Sequence, residues 1–560
     1  MGVRRGVEAR RQRRTAAVLG CLLLVLVILL GRLWLIQVDE GEALARGAVR
    51  QRALTTSLGP ARGDIFDRNG DSLTGAHYAP VSLNVGISQA KNGAGAATAT
   101  AKERYGPASL AHHLVGYVRG DDNRGVSGVE LAMDRYLRSN QAPQALAFVD
   151  GQGRPLAGLG VRSVPEAGRN DVWLTIDARV QAAAENALDG AGAPGAVVVL
   201  DAGSGEVLAM ASRPDFVPDQ VAGYLHASGA PLVNRATSAY APGSVFKLVV
   251  LAAALETGVT HPSEVFECPG YADVGGRRIP CLAHPSATPR APAKLTVVDA
   301  LAQSCNTTFV RLGLRVGAEA IARQARLFGL GQTAGSGLPE EAQGNLPRGT
   351  TPATAGPALA NLEQAGGMNP GDIANMAIGQ GDVMVTPLQV ARMVAAITRR
   401  GIDSQVSVYR RVVNQDGIAV WRPGEPALSR AVTPATALVL REAMTRATKT
   451  GTSRAAQPAP VSQSPGGGTQ SAGGLGAFVA RVAASVTGGS GAAAGKSGTA
   501  ETPRKTSNGQ AINNAWLAGY YPADHPRWVI VVVLETTGTG GGKAAPVFAE
   551  IAGFLARSAK

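Results

Sequence analysis

The chain has 560 residues, too many for one compact core, so two or more domains are expected. Hydrophobic residues make up 45% and charged residues 17%, which excludes a disordered or fibrous chain, while 71 glycines and only 4% aromatics point to extensive loop or linker. The net charge of +13 would suit nucleic acid if it covered a domain, but Arg4, Arg5, Arg10, Arg11, Arg13 and Arg14 crowd one short tail, and that argues for no nucleic-acid partner.

This basic tail, residues 1–14, runs into TAAVLGCLLLVLVILLGRLWLIQV, residues 15–38, long enough to cross a hydrocarbon core of about 30 Å. Arg32 falls late in the run, where its side chain can snorkel to the interface beside Trp34. A cleaved signal peptide is the rival reading, and the length of the run and the lack of a small-x-small site close behind it speak against it. Arginines ahead of a span hold the N-terminus in the cytoplasm, so residues from about 40 onward are expected outside. There oxidation is permitted, and Cys268 and Cys281, which bracket CPGYADVGGRRIPC, read equally as a bridge or as two free thiols. Metal binding is less favoured, because neither a CxxC nor a paired-His spacing accompanies these cysteines and Cys305.

From 39 to about 165 the chain carries ARGDIFDRNGDSLT, with a tight turn at Asn69-Gly70, and LVGYVRGDDNRGVSGVELAMDRYL, which ends in a helical pattern. Polar, Ala/Gly-rich loop separates the two. DVWLTIDARVQAAAENAL opens a larger unit with a short strand, a capping Asp177 and an amphipathic helix. GAVVVLDAGSGEVLAMAS then reads as a hairpin, and NNAWLAGYYPADHPRWVIVVVLETT near the C-terminus as another. Helical patterns lie between the hairpins, which predicts one α+β domain over 166–560 closed by strands from both of its ends. A low-complexity insertion interrupts it at about 455–490.

Within this domain APGSVFKLVVLAAALETG places Ser244 and Lys247 on one helix face, with Pro242 and Gly243 marking the start. A desolvated amine can lose its proton and activate such a hydroxyl without histidine. Ser-x-x-Lys alone is weak, and Ser88 with Lys91 repeats it in a loop. AQSCNTTFV adds Ser304 and Asn306, although Ser82 and Asn84 repeat that spacing too. Two downstream boxes compete for a third role: Lys449-Thr450-Gly451-Thr452 and Lys496-Ser497-Gly498-Thr499.

Taken together these motifs resemble those of class B penicillin-binding proteins, the monofunctional D,D-transpeptidases of peptidoglycan synthesis. RGDIFDRNG, VSGVELAMD, LTIDARVQ, VVVLDAGSGEVLAMASRPDF, YAPGSVFK, SCNTTF, IGQGDVMVTPLQ, GKSGTAE and WLAGYYP recur in family order, and none resembles a glycosyltransferase domain. The resemblance implies a transmembrane anchor, an elongated non-catalytic pedestal over 39–165, and a transpeptidase domain with a central antiparallel sheet flanked by helices. It implies a single-pass bacterial membrane protein whose catalytic domain is extracytoplasmic.

Ser244 is then the nucleophile, Lys247 its base, and Ser304, Asn306 and Lys496 complete the catalytic set. Ser497, Gly498 and Thr499 are expected to bind substrate on an extended strand, and the resemblance implies that the N–H groups of Ser244 and Thr499 form the oxyanion hole. Lys496 is preferred to Lys449 because TPATALVLREAMTRAT makes Lys449 a helix C-terminus, with Gly451 as terminator. Asp64, Asp67 and His284 read as structural. The expected partners are peptidoglycan stem peptides, β-lactams, the membrane and a polytopic lipid-II polymerase of the SEDS family, with no cofactor. A D,D-carboxypeptidase is the enzymatic alternative. A non-catalytic β-lactam sensor or wall-assembly scaffold is the other, disfavoured as a sensor by the short segment ahead of the anchor.

Overall fold

The computed structural model describes residues 2–40, 53–57, 62–74, 104–106, 109–119, 122–139, 144–148, 161–164, 168–284, 293–347, 368–458, 491–506 and 508–558. The insertion from 459 onward, and the decoy pairs Ser82/Asn84 and Ser88/Lys91, lie outside these residues. Packing separates Met1–Ala61, Ala79–Ala101 and Ser139–Ala167 from Arg62–Tyr78, Lys102–Arg138 and Gly168–Lys560.

In the first unit a helix spans Gly2–Trp34 and continues as a π-helical turn over Leu35–Asp39. Its Arg10–Val38 stretch reaches a mean hydropathy of 2.7 with none of it buried, so by length and composition it is fit to cross a membrane. The unit also holds a three-stranded antiparallel sheet, with Gln144–Phe148 between Ala53–Ser57 and Val161–Val164.

The second unit is mixed α+β and is built on a five-stranded antiparallel sheet. Its strands are β1 Gly195–Asp201, β2 Val207–Arg213, β3 Ala494–Lys505, β4 Ala511–Tyr521 and β5 Trp528–Thr536, in the spatial order β3-β4-β5-β1-β2. The two hairpins read from sequence therefore meet side by side, with Trp528 opposite Asp201 and Leu534 opposite Gly195. Successive side chains leave a strand on opposite faces. Val197, Val199, Leu517, Ile530 and Val532 accordingly pack with α1 (Ala178–Ala191) and a C-terminal helix over Ala545–Ser558, through Val180, Leu188, Phe548 and Ile551. Val198, Leu200, Trp516, Val529 and Val531 enter the larger core that contains α2 (Lys247–Glu256). Both faces are covered, so the middle stretches of β1, β4 and β5 are apolar on both sides instead of alternating with polar residues. Helix α2 is buried from Lys247 to Ala254, as a helix apolar on every side must be.

Asp177 caps α1 as expected, its carboxylate accepting the Arg179 N–H at 3.0 Å. The RGDIFDRNG stretch packs with this second unit, where Ile65–Phe66 runs parallel to Asn170–Leu174. Asp67 accepts the N–H groups of Asn69 (2.7 Å), Gly70 (2.8 Å), Asp71 (2.9 Å) and Ala178 (3.0 Å), so it builds the turn and ties it to α1. Asp64 accepts from Ile65 N–H at 2.7 Å and Ser72 Oγ at 3.0 Å. Arg62 is buried against Glu130 and Asp134, each at 2.6 Å, and Arg104 reaches the other oxygen of Glu130. Removing one member of a buried ion network strands the rest without water. Glu130→Ala should therefore cost about 3–5 kcal/mol, read as a lowered denaturant midpoint, whereas Arg119→Ala on the exposed surface should leave the midpoint within experimental scatter.

Candidate active site

Ser244 lies in a 3-10 turn, Gly243–Phe246, that leads directly into α2, so Lys247 stands one turn on from it at the helix start. Ser244 is half-exposed and Lys247 wholly buried. The Lys247 amine donates to Asn306 Oδ1 at 2.7 Å, to the Ser304 carbonyl at 2.8 Å and, at 3.4 Å, to Ser304 Oγ. Its alkyl end faces Phe309, with Nζ 5.4 Å from the ring centre. Desolvation lowers its pKa from the ordinary 10.5 to about 8.

Ser304 and Asn306 lie at the start of α3 (Asn306–Val316). Ser304 has φ +61°, a left-handed conformation that serine rarely adopts. Strain of this kind persists where neighbours hold a residue in place, and Ser304 is held from two sides. The second hold comes from Lys496 on β3, whose amine donates to Ser304 Oγ at 3.1 Å and to the Ser497 carbonyl at 2.7 Å. Lys496 is also wholly buried, and burial together with the charge of Lys247 holds its pKa well below the usual lysine range. Asn306 is oriented in turn, its Nδ2 donating to the Pro280 carbonyl at 2.9 Å. The structure thus brings Lys247, Ser304, Asn306 and Lys496 into one hydrogen-bonded group beside the Ser244 turn.

Backbone contacts fix the turn against β3. A Cβ on Gly498 would lie 2.7 Å from the Pro242 carbonyl, and Trp516 Nε1 on β4 donates to the Ala241 carbonyl at 2.9 Å. Gly379, of the IGQGD stretch, has φ +74° and accepts the Gly243 N–H at 2.9 Å. A methyl group at Gly379 would come within 2.0 Å of the Gly243 carbonyl. Thr499 Oγ1 accepts the Gly540 N–H at 3.1 Å.

The two Lys-hydroxyl-Gly-Thr boxes are distinct in backbone and joined in side chain. Lys449 is the exposed last residue of α4 (Pro434–Lys449), as expected of a helix end. A Cβ on Gly451 would sit 2.1 Å from the Ala302 carbonyl, so the chain turns away there against the segment leading to Ser304. Three residues past Lys449, Thr452 Oγ1 lies 2.8 Å from Ser497 Oγ, and Ser453 Oγ accepts the Ser497 N–H at 2.9 Å. Sequence reasoning set the first box aside whole. Its lysine is exposed to solvent, yet Thr452 and Ser453 hold the strand that carries Lys496.

Cys268 and Cys281 are not bonded to each other. Cys281 Sγ lies 3.7 Å from Cys305 Sγ, and both are buried beside Asn306. His284 is not isolated, since its Nδ1 stands 3.7 Å from Cys281 Sγ and its Nε2 2.9 Å from Gln303 Oε1.

With this geometry in hand, comparison with known proteins is direct. The penicillin binding protein transpeptidase domain matches residues 195–553. The chain is 31% identical over 474 residues to penicillin-binding protein PbpB of Mycolicibacterium smegmatis, covering 81% of this chain and 64% of PbpB. It is 26% identical over 617 residues to peptidoglycan D,D-transpeptidase FtsI of Escherichia coli K12, covering 97% of this chain and 92% of FtsI. The chain spans less than two thirds of the length of several relatives, among them PbpB and the stage V sporulation protein D of Bacillus subtilis, at 62%. Crystal structures of penicillin-binding protein 3 from Mycobacterium tuberculosis, without ligand and with aztreonam, superpose with a TM-score of 0.64 at 27% identity, covering 90% of this chain and 97% of theirs. A chain from a peptidoglycan synthase complex superposes with a TM-score of 0.66 at 27% identity, covering 97% of this chain and 98% of its own. The fold and the order of motifs define a transpeptidase-type domain. The chain belongs to the penicillin-binding protein family, in its class B branch.

The placement of the boxes makes a direct test. Lys449→Ala should leave acylation by a fluorescent penicillin within about twofold, as an exposed charge outside the hydrogen-bonded cluster implies. Lys496→Ala should slow it by about 10²-fold or more, the scale of losing one preorganised hydrogen-bond donor at such a site. Thr452→Val, which removes one hydrogen bond worth about 1 kcal/mol, should slow it about fivefold. Equal effects of the two lysine changes would contradict the assignment.

Proposed function

We propose that the chain is a peptidoglycan D,D-transpeptidase that works through a serine acyl-enzyme at Ser244. The observation that carries this reading is the pair of wholly buried lysines, Lys247 and Lys496, converging on Ser304 Oγ beside the Ser244 turn. Burial moves both amines toward neutrality, which readies them to take protons, and both lie within hydrogen-bond reach of Ser304 Oγ to pass them on.

In this mechanism Lys247 takes the Ser244 hydroxyl proton as Oγ attacks the penultimate D-Ala carbonyl of a stem pentapeptide. The N–H groups of Ser244 and Thr499 stabilise the oxyanion. As the C–N bond breaks, the terminal D-Ala amine receives a proton through Ser304, whose Oγ already accepts from both lysines. Asn306 holds the Lys247 amine and the substrate amide. Ser497 and Thr499 present hydroxyls to the substrate carboxylate, with Thr452 supporting Ser497. An amine from a neighbouring stem peptide then attacks the ester, Ser244 recovers its proton, and a crosslink forms. β-Lactams acylate Ser244 by the same attack and remain bound.

The N-terminal helix anchors the chain in a bacterial cell membrane with the basic tail in the cytoplasm and the transpeptidase domain outside. Residues 39–165 serve as a non-catalytic pedestal. The likeness to a chain of a peptidoglycan synthase complex supports a polytopic SEDS-family lipid-II polymerase as partner.

Ser244→Ala should abolish covalent penicillin labelling. With a polymerised lipid-II glycan as substrate, the full-length protein should yield crosslinked dimers, whereas release of D-Ala without dimers would identify a carboxypeptidase instead. The pH profile offers a second check. The active base is neutral Lys247, so with a pKa of about 8 the acylation rate should climb between pH 6 and 9, falling about tenfold per unit well below pH 8. A rate that declines as pH rises through this range would exclude Lys247 as the base.

A further inference from the structure

We infer that Cys268, Cys281, His284 and Cys305 bind one structural zinc ion beside the catalytic cluster. The ligand atoms of all four side chains lie within 4.8 Å of one another. A tetrahedral zinc with thiolate bonds of about 2.3 Å sets neighbouring sulfurs roughly 3.8 Å apart, and Cys281 Sγ and Cys305 Sγ are separated by 3.7 Å. The Cys281 Sγ to His284 Nδ1 distance, also 3.7 Å, fits an adjacent pair of vertices. Three thiolates and an imidazole are a soft donor set suited to zinc, and four protein ligands leave no open position, so the ion is structural.

The surroundings are those of a ligand shell. Gln303 Oε1 can only accept, so His284 Nε2 carries the proton at 2.9 Å and Nδ1 turns its lone pair to the sulfurs. Thr308 Oγ1 donates to Cys305 Sγ at 3.4 Å. The backbone N–H groups of Asn306 and Thr307 hydrogen-bond the Cys281 sulfur. On ligation the three thiols give up their protons and the imidazole stays neutral.

The ligands explain what the ion does. Cys305 sits between Ser304 and Asn306, and Cys281 follows Pro280, whose carbonyl receives the Asn306 side chain. Zinc would pin the loop from Cys268 to His284 onto the start of α3. It thereby fixes Asn306, and with it the Lys247 amine and the left-handed Ser304. The spacing hides this site, because Cys281-Leu-Ala-His284 is the one close pair and Cys305 completes the set from another element.

The test is metal analysis of the full-length protein purified in detergent with metal-free buffers, a reading independent of acylation. One zinc per chain is expected. Cobalt grown in its place should show the visible d–d bands and thiolate charge transfer of a tetrahedral sulfur-rich site. Cys268→Ser and His284→Ala should each lose zinc, and Gln303→Ala should weaken binding about 10–100-fold, with near-UV circular dichroism confirming that each variant is folded. Chelation should make Cys281 and Cys305 alkylatable together. Zinc well below one per chain would overturn the inference, whether peptide mapping then found a Cys281–Cys305 disulfide or four free thiols.

Discussion

Two buried lysine amines, with no carboxylate bonded to them among the described residues, set the terms for the rest of the domain. Lys247 and Lys496 donate to carbonyl, amide and hydroxyl oxygens, and they share Ser304 Oγ. Burying an ammonium without a counter-ion is expensive, and proteins meet the cost by shifting the group toward neutrality. That shift readies both amines to take up protons. It also demands rigidity, because room for a water beside either amine would move it back toward its ordinary protonation.

The rigidity is supplied by backbone pressed against backbone. The Ser244 turn lies between β3 and the IGQGD stretch, and the contacts at Gly379 and Gly498 leave no room for a side chain. At Gly540 a Cβ would lie 2.2 Å from the carbonyls of both Gly498 and Trp516. The conspicuous glycine content is thus partly invested in the site itself, where it lets three chain segments approach to hydrogen-bonding distance. Loop alone does not account for it.

Much of this was legible in the sequence because the determinants are local. Ser244 and Lys247 are one turn apart on a helix whose apolar residues announce its burial, Asp177 caps the helix it precedes, and Lys449 follows an amphipathic pattern that must end at Gly451. The hairpins flanking the domain were readable from their turns, and their union in one sheet from the fold class. What escaped was created by long-range packing. The bond from Thr452 to Ser497 joins segments separated by the low-complexity insertion. The left-handed Ser304 has no signature, since only its neighbours impose it. The cysteine cluster leaves no mark in the spacing because its members meet only in space, and the packing of RGDIFDRNG with the larger unit rests on partners far along the chain, among them Glu130, Asp134, Val172 and Ala178.

The central sheet has a consequence for how the protein comes into being. Strands β1 and β2 are made early, but their neighbour β5, and β4 and β3 beyond it, come from the end of the chain. Helix α2 therefore has to wait for most of the domain to be synthesised before Lys496 can join it. Until then β1 shows an unpaired apolar edge, the kind of surface that invites aggregation in slow-folding, non-local topologies. A chain stopped short of Ala494 would retain Ser244 and Lys247 yet never complete the sheet. The buried lysine pair thus forms only with the last strands, which ties the assembly of the site to the completion of the sheet.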